Sequence, residues 1–324
     1  MAAACSKSNV TYDQPETIAL MPVSSTMTKA AVGVTPSGQD LLIYANYEDG
    51  RAYLNKAVFS EKTTGIWTGA DQDYFWPKSG LVKFAGCTNL PAEYGTVNYN
   101  FSNNQISVAN YKQDLDPAKT VDFLWFNQTE AINNGLTGGA NLEANFNHAL
   151  TWVTIQGAGF GGSVGWKIKS ITLKGVQDKG SLTCKTTGPH WENVSETAAN
   201  QTFTVYSEAD PTKYITLGEN PANIETIPGG TVLIPQTPVT TMTIEYSTGS
   251  AWKTKDIDLK ISDDQTKNFW EAGKHYIYSI TFNPYKITFT VTENTWENGN
   301  PVDENGVPKD DIDVDSYEDS EIKP

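Results

Sequence analysis

The segment from Trp270 to Trp296 constrains the fold more than any other part of the sequence. It predicts two β-strands joined by a short turn at residues 283–286, which contains Pro284. Side chains alternate between the two faces of a strand, so each predicted strand has one apolar face. These faces consist of Tyr276, Tyr278, Ile280 and Phe282 in the first strand and Ile287, Phe289 and Val291 in the second. The hairpin carries no catalytic arrangement of side chains, and we expect it to close a β-sandwich.

The composition favours an all-β protein. The 324 residues include nine Trp, fifteen Tyr and twelve Phe, which are strand-forming residues, and long amphipathic helical runs are missing. The net charge is −15 and the single arginine is Arg51. Phosphate contacts need a basic face, so neither nucleic acid nor an anionic membrane surface is a predicted partner. No apolar run approaches the roughly 18 residues of a transmembrane helix.

The order of the short strands predicts two domains. Two sets of strands with turn signals between them are separated by a polar, Gly-rich connection, a spacing typical of β-sandwiches. We predict a leader at 1–16, a first β-sandwich at 17–140, a second at 141–297 and an acidic tail at 298–324. Residues 301–324 hold nine Asp and Glu against two Lys. Such a tail is predicted to be solvated and disordered.

No motif predicts catalysis or a bound cofactor. The glycine-rich run from Gly157 to Gly162 follows a strand, but the next residues are β-branched and aromatic, so no helix N-terminus is there to hold a pyrophosphate. His148, His190 and His275 are scattered without metal-ligand spacing, and GxSxG is absent. We therefore predict a protein that is not an enzyme, with no catalytic, cofactor-binding or metal-binding residues.

The three cysteines divide into two kinds. Cys87 and Cys184 are predicted to be buried small hydrophobes in different domains, with no disulfide between them. Cys5 follows three alanines, as at the end of a bacterial lipoprotein signal. The charged and apolar segments of such a signal do not precede it, so lipidation requires a longer precursor. The alternative is that Cys5 has no role.

Five short motifs follow one another along the chain. They are Tyr74-Phe75-Trp76-Pro77 with Leu81-Val82-Lys83-Phe84, then Phe146-x-His148-Ala149-Leu150, Leu233-Ile234-Pro235-Gln236, Trp270-Glu271-x-Gly273-Lys274-x-Tyr276-x-Tyr278, and the closing Trp296. In this order and spacing the chain resembles the fimbrillin-like, type V pilin surface lipoproteins of Bacteroidales over about residues 17–296. The resemblance implies two transthyretin-like β-sandwich domains, export to the outer membrane and assembly into surface fimbriae. Assembly in that family uses a donor strand from a neighbouring subunit, a form of β-augmentation.

The resemblance also implies roles for particular residues. Cys5 corresponds to the lipidated cysteine, and residues 17–21 correspond to a removable first strand with Ile18 and Leu20 on one face. Lys29 falls where the family often has the arginine of its processing site. Either a lysine-tolerant protease acts there, or this chain is never processed and remains an anchored or terminal subunit. The alternative is that Lys29 is an ordinary exposed loop residue.

The predicted function is a non-enzymatic structural or adhesive subunit of a bacterial cell-surface fimbria. Its predicted partners are other fimbrial subunits and a host or bacterial surface ligand, with a membrane contacted only through the lipid anchor. The alternative is a carbohydrate-binding surface lipoprotein that stacks sugars on exposed aromatic rings. The burial of the tryptophans distinguishes the two functions, because a tryptophan in the core cannot stack on a sugar. The best stacking candidates are Trp67, Trp125, Trp166, Trp191 and Trp252.

Overall fold

The fold is all-β. A computed structural model of the chain describes residues 16–22, 38–128, 132, 141–199, 201–224, 231–237, 241–249, 251–261, 268–296 and, for the backbone alone, 312–318. Within these ranges the helical elements are short 3₁₀ turns at Ala92–Tyr94, Pro117–Lys119 and Gly161–Ser163. None of the described helices is long and apolar enough to cross a membrane. The prediction of an all-β chain is confirmed.

The strands are numbered in chain order. Those of the first half are β1 (Leu20–Pro22), β2 (Leu41–Tyr47), β3 (Ala52–Thr63), β4 (Ile66–Gly69), β5 (Val82–Thr88), β6 (Thr96–Asn100), β7 (Gln105–Lys112), β8 (Leu124–Asn127), β9 (Leu142–Ala144) and β10 (Asn147–His148). Those of the second half are β11 (Thr151–Gly159), β12 (Lys167–Lys174), β13 (Lys179–Lys185), β14 (Gly188–Ser195), β15 (Thr202–Ser207), β16 (Ile215–Thr216), β17 (Ala222–Asn223), β18 (Thr231–Leu233), β19 (Thr241–Ser247), β20 (Trp252–Ile257), β21 (Lys274–Phe282), β22 (Ile287–Thr295) and β23 (Ile312–Glu318).

The largest sheet is curled. It has eight strands in the order β10-β8-β5-β2-β3-β4-β1-β9, so β9 and β10 lie at opposite edges. Yet β9 ends at Ala144 and β10 begins at Asn147. Three residue steps span at most about 10 Å, so the sheet must bend until its edges approach each other. The bend encloses a hydrophobic core that includes Ile18, Leu20, Ile43, Phe59, Trp67, Phe84, Phe126 and Leu142.

A four-stranded sheet packs on the outer face of the curled sheet. Its order is β14-β13-β7-β6, and it contributes to a second core with Tyr44 and Ala85 of the curled sheet. Cys87 and Cys184 are both buried in this core as free thiols, and burial raises the pKa of each. They were predicted to be buried, which is confirmed. The two cysteines share one core because the hairpin β13–β14 pairs with β7 and not with the strands next to it in sequence.

The second half of the chain forms a sandwich of two further sheets. One has the order β17-β11-β21-β22-β23 with β18 beside β11, and the other has the order β15-β12-β19-β20 with β16 beside β12. The predicted hairpin is confirmed as β21 and β22, with Ile280 opposite Phe289. All of its predicted inward side chains are at most 3% exposed. Strand β21 is interior to its sheet because it also pairs in parallel with β11.

The acidic tail differs from its prediction in one segment. Residues 312–318 form β23, which pairs antiparallel with the outer edge of β22. The expectation of disorder throughout 298–324 was wrong there. An edge strand presents unpaired N–H and C=O groups, and a following segment can satisfy them whatever its charge.

Strand pairing also crosses the predicted boundary at 140/141. Strands β9 and β10, at residues 142–148, belong to the curled sheet, and β13 pairs with β7. Turn signals indicate where strands end but not which strands pair, because pairing is decided by side-chain packing on both partners. The division into two domains stays a prediction.

Candidate functional site: the slot of strand β1

Strand β1 lies between two other strands. It is antiparallel to β4, with Leu20 opposite Trp67, and parallel to β9, with Leu20 opposite Leu142. The amide of Leu142 donates a hydrogen bond to the carbonyl oxygen of Ala19 at 2.7 Å. Withdrawal of β1 would leave a gap of about 10 Å, two strand spacings, between β4 and β9. We call this gap, together with its continuation along residues 16–19 beside the 70–81 loop, the β1 slot.

The residues just before β1 pair with the loop at 70–81. The amide of Ile18 donates to the carbonyl of Tyr74 at 2.7 Å, and the amide of Trp76 donates to the carbonyl of Glu16 at 2.9 Å. The loop is itself fixed, because the ring of Tyr74 stacks on Phe59 with centroids 5.4 Å apart. Backbone hydrogen bonds therefore continue along residues 16–20, although β1 itself is only three residues long.

The side chains of this segment alternate between core and surface. Ile18 is 1% exposed and Leu20 is 0% exposed, whereas Ala19 is partly buried and Thr17 is exposed. This is the pattern that the sequence predicts for one strand face. Burying each of the two apolar side chains stabilises the closed form by about 1.5–3 kcal/mol.

The wall of the slot is apolar. Trp67 is fully buried, and its indole Nε1 donates to the carbonyl of Gln39 at 3.0 Å, which fixes the ring. Leu142 and Ala144 of β9 are also fully buried in the same core. A strand that occupies the slot must therefore place apolar side chains two residues apart, as Ile18 and Leu20 are.

Two of the four predicted site residues lie in the part of the chain that the structure describes, and two do not. The structure brings Ile18 and Leu20 together in the slot, while Cys5 and Lys29 lie outside the described residues. Sequence reasoning missed the contributions of β9 and of the 70–81 loop to the slot. The aromatic run at Tyr74 between two predicted strands is the one signal that could have indicated the loop.

Most of the five tryptophans predicted as sugar-stacking candidates are buried or partly buried. Trp67, Trp125 and Trp166 are 0%, 4% and 9% exposed, and Trp191 is partly buried. Trp252 is 45% exposed, but its ring meets Tyr214 edge-on at an interplanar angle of 80°. Most of the candidates for aromatic stacking are therefore in or against the core.

Two of the histidines, His148 and His275, are buried and have structural partners. The Nδ1 atom of His148 lies 2.8 Å from Oδ2 of Asp122. His275 stacks on Trp152 with centroids 3.5 Å apart, and its Nε2 lies 2.9 Å from Oγ1 of Thr154. Burial lowers the pKa of His275 to about 4, so its ring is neutral at neutral pH. In the described ranges, no three His, Cys, Asp or Glu side chains converge as metal ligands.

Comparisons with known proteins agree with this architecture. The fimbrillin-like family matches residues 25–296. A fimbrial protein from Bacteroides vulgatus has 14% sequence identity and a TM-score of 0.61, over 86% of this chain and 99% of that chain. A proposed cell adhesion protein from Bacteroides uniformis has 15% identity and a TM-score of 0.58, with the same coverage. Another from Bacteroides ovatus has 18% identity and a TM-score of 0.53, over 87% of this chain and 98% of that one.

The two kinds of comparison support different conclusions. At these identities the likeness to solved structures shows the fold alone. No curated protein matches the sequence. The family match, by contrast, spans most of the 324 residues and contains the 70–81 loop, β4 and β9. The chain belongs to the fimbrillin-like family.

Proposed function

We propose that this protein is a structural or adhesive subunit of a bacterial cell-surface fimbria, and that its subunits join by strand exchange at the β1 slot. The observation that carries the proposal is the position of β1, a three-residue strand that pairs with β4 on one side and with β9 on the other. The vacated slot would then offer two strand edges to a donor from a second copy.

The energetics suit an exchangeable strand. The pairs between β1 and its neighbours are few, since β1 and β9 have three residues each and β4 has four. Burial of Ile18 and Leu20 supplies most of the stabilisation, about 3–6 kcal/mol for the pair. That is enough to keep a monomer closed. A longer donor with the same apolar spacing would add further ladder hydrogen bonds and displace it.

Release of β1 requires a cut between it and the rest of the sheet. Lys29 lies between β1 and β2 in sequence, and we propose it as the processing position. If Lys29 is not cut, the same fold would serve as an anchored or terminal subunit. In both cases the role is mechanical and needs no catalytic group.

We further propose that Cys5 carries a lipid that anchors the precursor to the outer membrane. A precursor with a lipoprotein signal ahead of Cys5, expressed in a Bacteroidales host, is expected to incorporate labelled palmitate and to partition into detergent. The Cys5→Ser variant should lose both properties. Cys184→Ser is the matched control and should keep them, because that thiol is buried in the core. Equal labelling of wild type and Cys5→Ser would contradict the anchor.

The fimbrial role itself is tested on cells. Immunogold electron microscopy with an antibody to this protein should label filaments on the cell surface. Deletion of the gene should remove or shorten the labelled filaments, and expression of the wild-type chain should restore them. A chain with Leu20→Asp should reach the surface poorly, because a carboxylate cannot enter the slot without a large desolvation cost. Unchanged filaments in the deletion strain would contradict the proposal.

A further inference from the structure

A shallow depression lies on the solvent-exposed face of the four-stranded sheet, over strands β7, β13 and β14. It has a volume of about 330 Å³, and its polar lining consists of Asn110, Lys112, Lys179, Ser181 and Asn193. The β1 slot belongs to the curled sheet, so the depression is a separate feature of the molecule.

Two lysines face each other in this depression. Lys179 of β13 lies directly opposite Lys112 of β7, and both are exposed. Residues directly opposite in an antiparallel pair project from the same face, with Cβ atoms about 4.5–5.5 Å apart, and like charges in this arrangement are destabilising. Neither lysine forms an ion pair with any residue that the structure describes. Two unpaired positive charges therefore meet in a chain whose net charge is −15.

Two asparagines reach the same depression through bulges on either side of β13. The register of β13 shifts once against β7 and once against β14. Asn110 lies at the first shift and Asn193 at the second, and their φ angles of 53° and 54° are left-handed. A left-handed backbone is uncommon outside glycine, and a bulge changes the direction of a side chain. The strands thus depart from regular pairing at the two places where an asparagine lines the depression.

The polar side chains of the depression are free to bind a ligand. Among the described residues, none gives a hydrogen bond to the amides of Asn110 and Asn193 or to the hydroxyl of Ser181. The carboxylate of Glu192, across the strand pair from Ser181, is engaged by His190, whose Nε2 lies 3.0 Å from its Oε1. No Asp or Glu is among the described residues that line the depression. Ammonium, amide and hydroxyl groups can all donate hydrogen bonds, so the depression presents donors around two positive charges.

We propose that this depression binds a single oxyanion group, which is a carboxylate, sulfate or phosphate. An oxyanion between Lys112 and Lys179 would offset their mutual repulsion and would accept hydrogen bonds from both ammonium groups. Lysine acts as a point charge without the planar fork of arginine, so the pair does not select one oxyanion by shape. The proposal does not depend on strand exchange, because the lining comes from β7, β13 and β14 alone.

The test is a titration of the purified full chain, followed by the amide chemical shifts in NMR. The probes are sulfate, phosphate and acetate, with sodium chloride holding the ionic strength constant. Saturable shifts should centre on β13 near Gly180. Glucuronate and N-acetylglycine carry the carboxylate on a sugar and on a peptide unit, so their Kd values, compared with those of the inorganic anions and acetate, identify the source of the oxyanion.

Variants then locate the binding. Lys112→Gln and Lys179→Gln should each raise Kd by about tenfold, because each removes a charge-assisted hydrogen bond. Asn193→Gly should raise Kd by about threefold, since glycine keeps the left-handed backbone and only the amide is lost. Lys185→Gln is the matched control. It removes the same charge from an exposed position on β13 that does not line the depression, and should leave Kd within about twofold.

Three outcomes would overturn the proposal. The first is that no probe gives saturable shifts, and the second is that binding is unchanged in both Lys112→Gln and Lys179→Gln. The third is an equal loss of affinity in Lys185→Gln, which would indicate general attraction of anions to the lysines of this sheet. Circular dichroism of each variant checks that the fold is kept, as expected for exposed positions.

Discussion

Phe289→Ala is expected to lower the free energy of unfolding by about 3–5 kcal/mol. Phe289 lies on β22, is 3% exposed and pairs across the hairpin with Ile280. Its ring also contacts Tyr278, with centroids 6.2 Å apart. Truncation would remove this buried surface and leave a cavity that the surrounding strands cannot fill.

Phe160→Ala is the matched control. Phe160 is 65% exposed beyond the end of β11, so its truncation should change the free energy of unfolding by less than about 0.5 kcal/mol. Urea unfolding of both variants beside wild type gives the comparison. A loss below about 1 kcal/mol for Phe289→Ala would mean that the core face of the hairpin is wrongly assigned.

The hairpin could be predicted because its pattern is local. Alternating apolar residues and the turn at Pro284 determine which side chains of β21 and β22 face the core. The same holds for Ile18 and Leu20, whose burial follows from period-two alternation. Each of these patterns shows which face of a strand is buried, whichever strand or sheet packs against that face.

The pairing partners could not be predicted in the same way. Strand β21 lies parallel to β11, more than 100 residues earlier in the chain, and nothing near Lys274 specifies that choice. The hairpin β13–β14 pairs with β7, so Cys184 shares a core with Cys87. Such choices depend on how well complete faces fit together, which no local window contains.

The β1 slot could be predicted in part, because the resemblance placed a removable strand at residues 17–21. The contributions of β9 and of the 70–81 loop could not, since their pairing with residues 16–22 depends on the whole fold and not on a local pattern.

Strand exchange predicts a second large effect, which follows cutting of the chain after β1. The cut form should change from monomer to oligomer, because β1 is then held only by its few pairs and by Ile18 and Leu20. The loss of the covalent link removes the high effective concentration that keeps β1 in the slot. A donor segment from another copy can then compete for β4 and β9.

A recognition site for a specific protease, inserted at Lys29, restricts cleavage to that position, because the other lysines remain uncut. Excess peptide corresponding to residues 16–22 should refill the slot and keep the cut protein monomeric. The same peptide with Asp in place of Ile18 and Leu20 should not, because two carboxylates cannot enter the buried slot. The uncut protein with the inserted site is the control for the insertion itself.

The most direct measurement is the mass of the cut protein by light scattering over a range of concentrations, with its thermal unfolding recorded in parallel. Strand exchange predicts a lower melting temperature than that of the uncut form, growth of oligomers with concentration, and suppression of both changes by the residue 16–22 peptide. A cut protein that stays monomeric at high concentration and keeps the stability of the uncut chain would contradict strand exchange at the β1 slot.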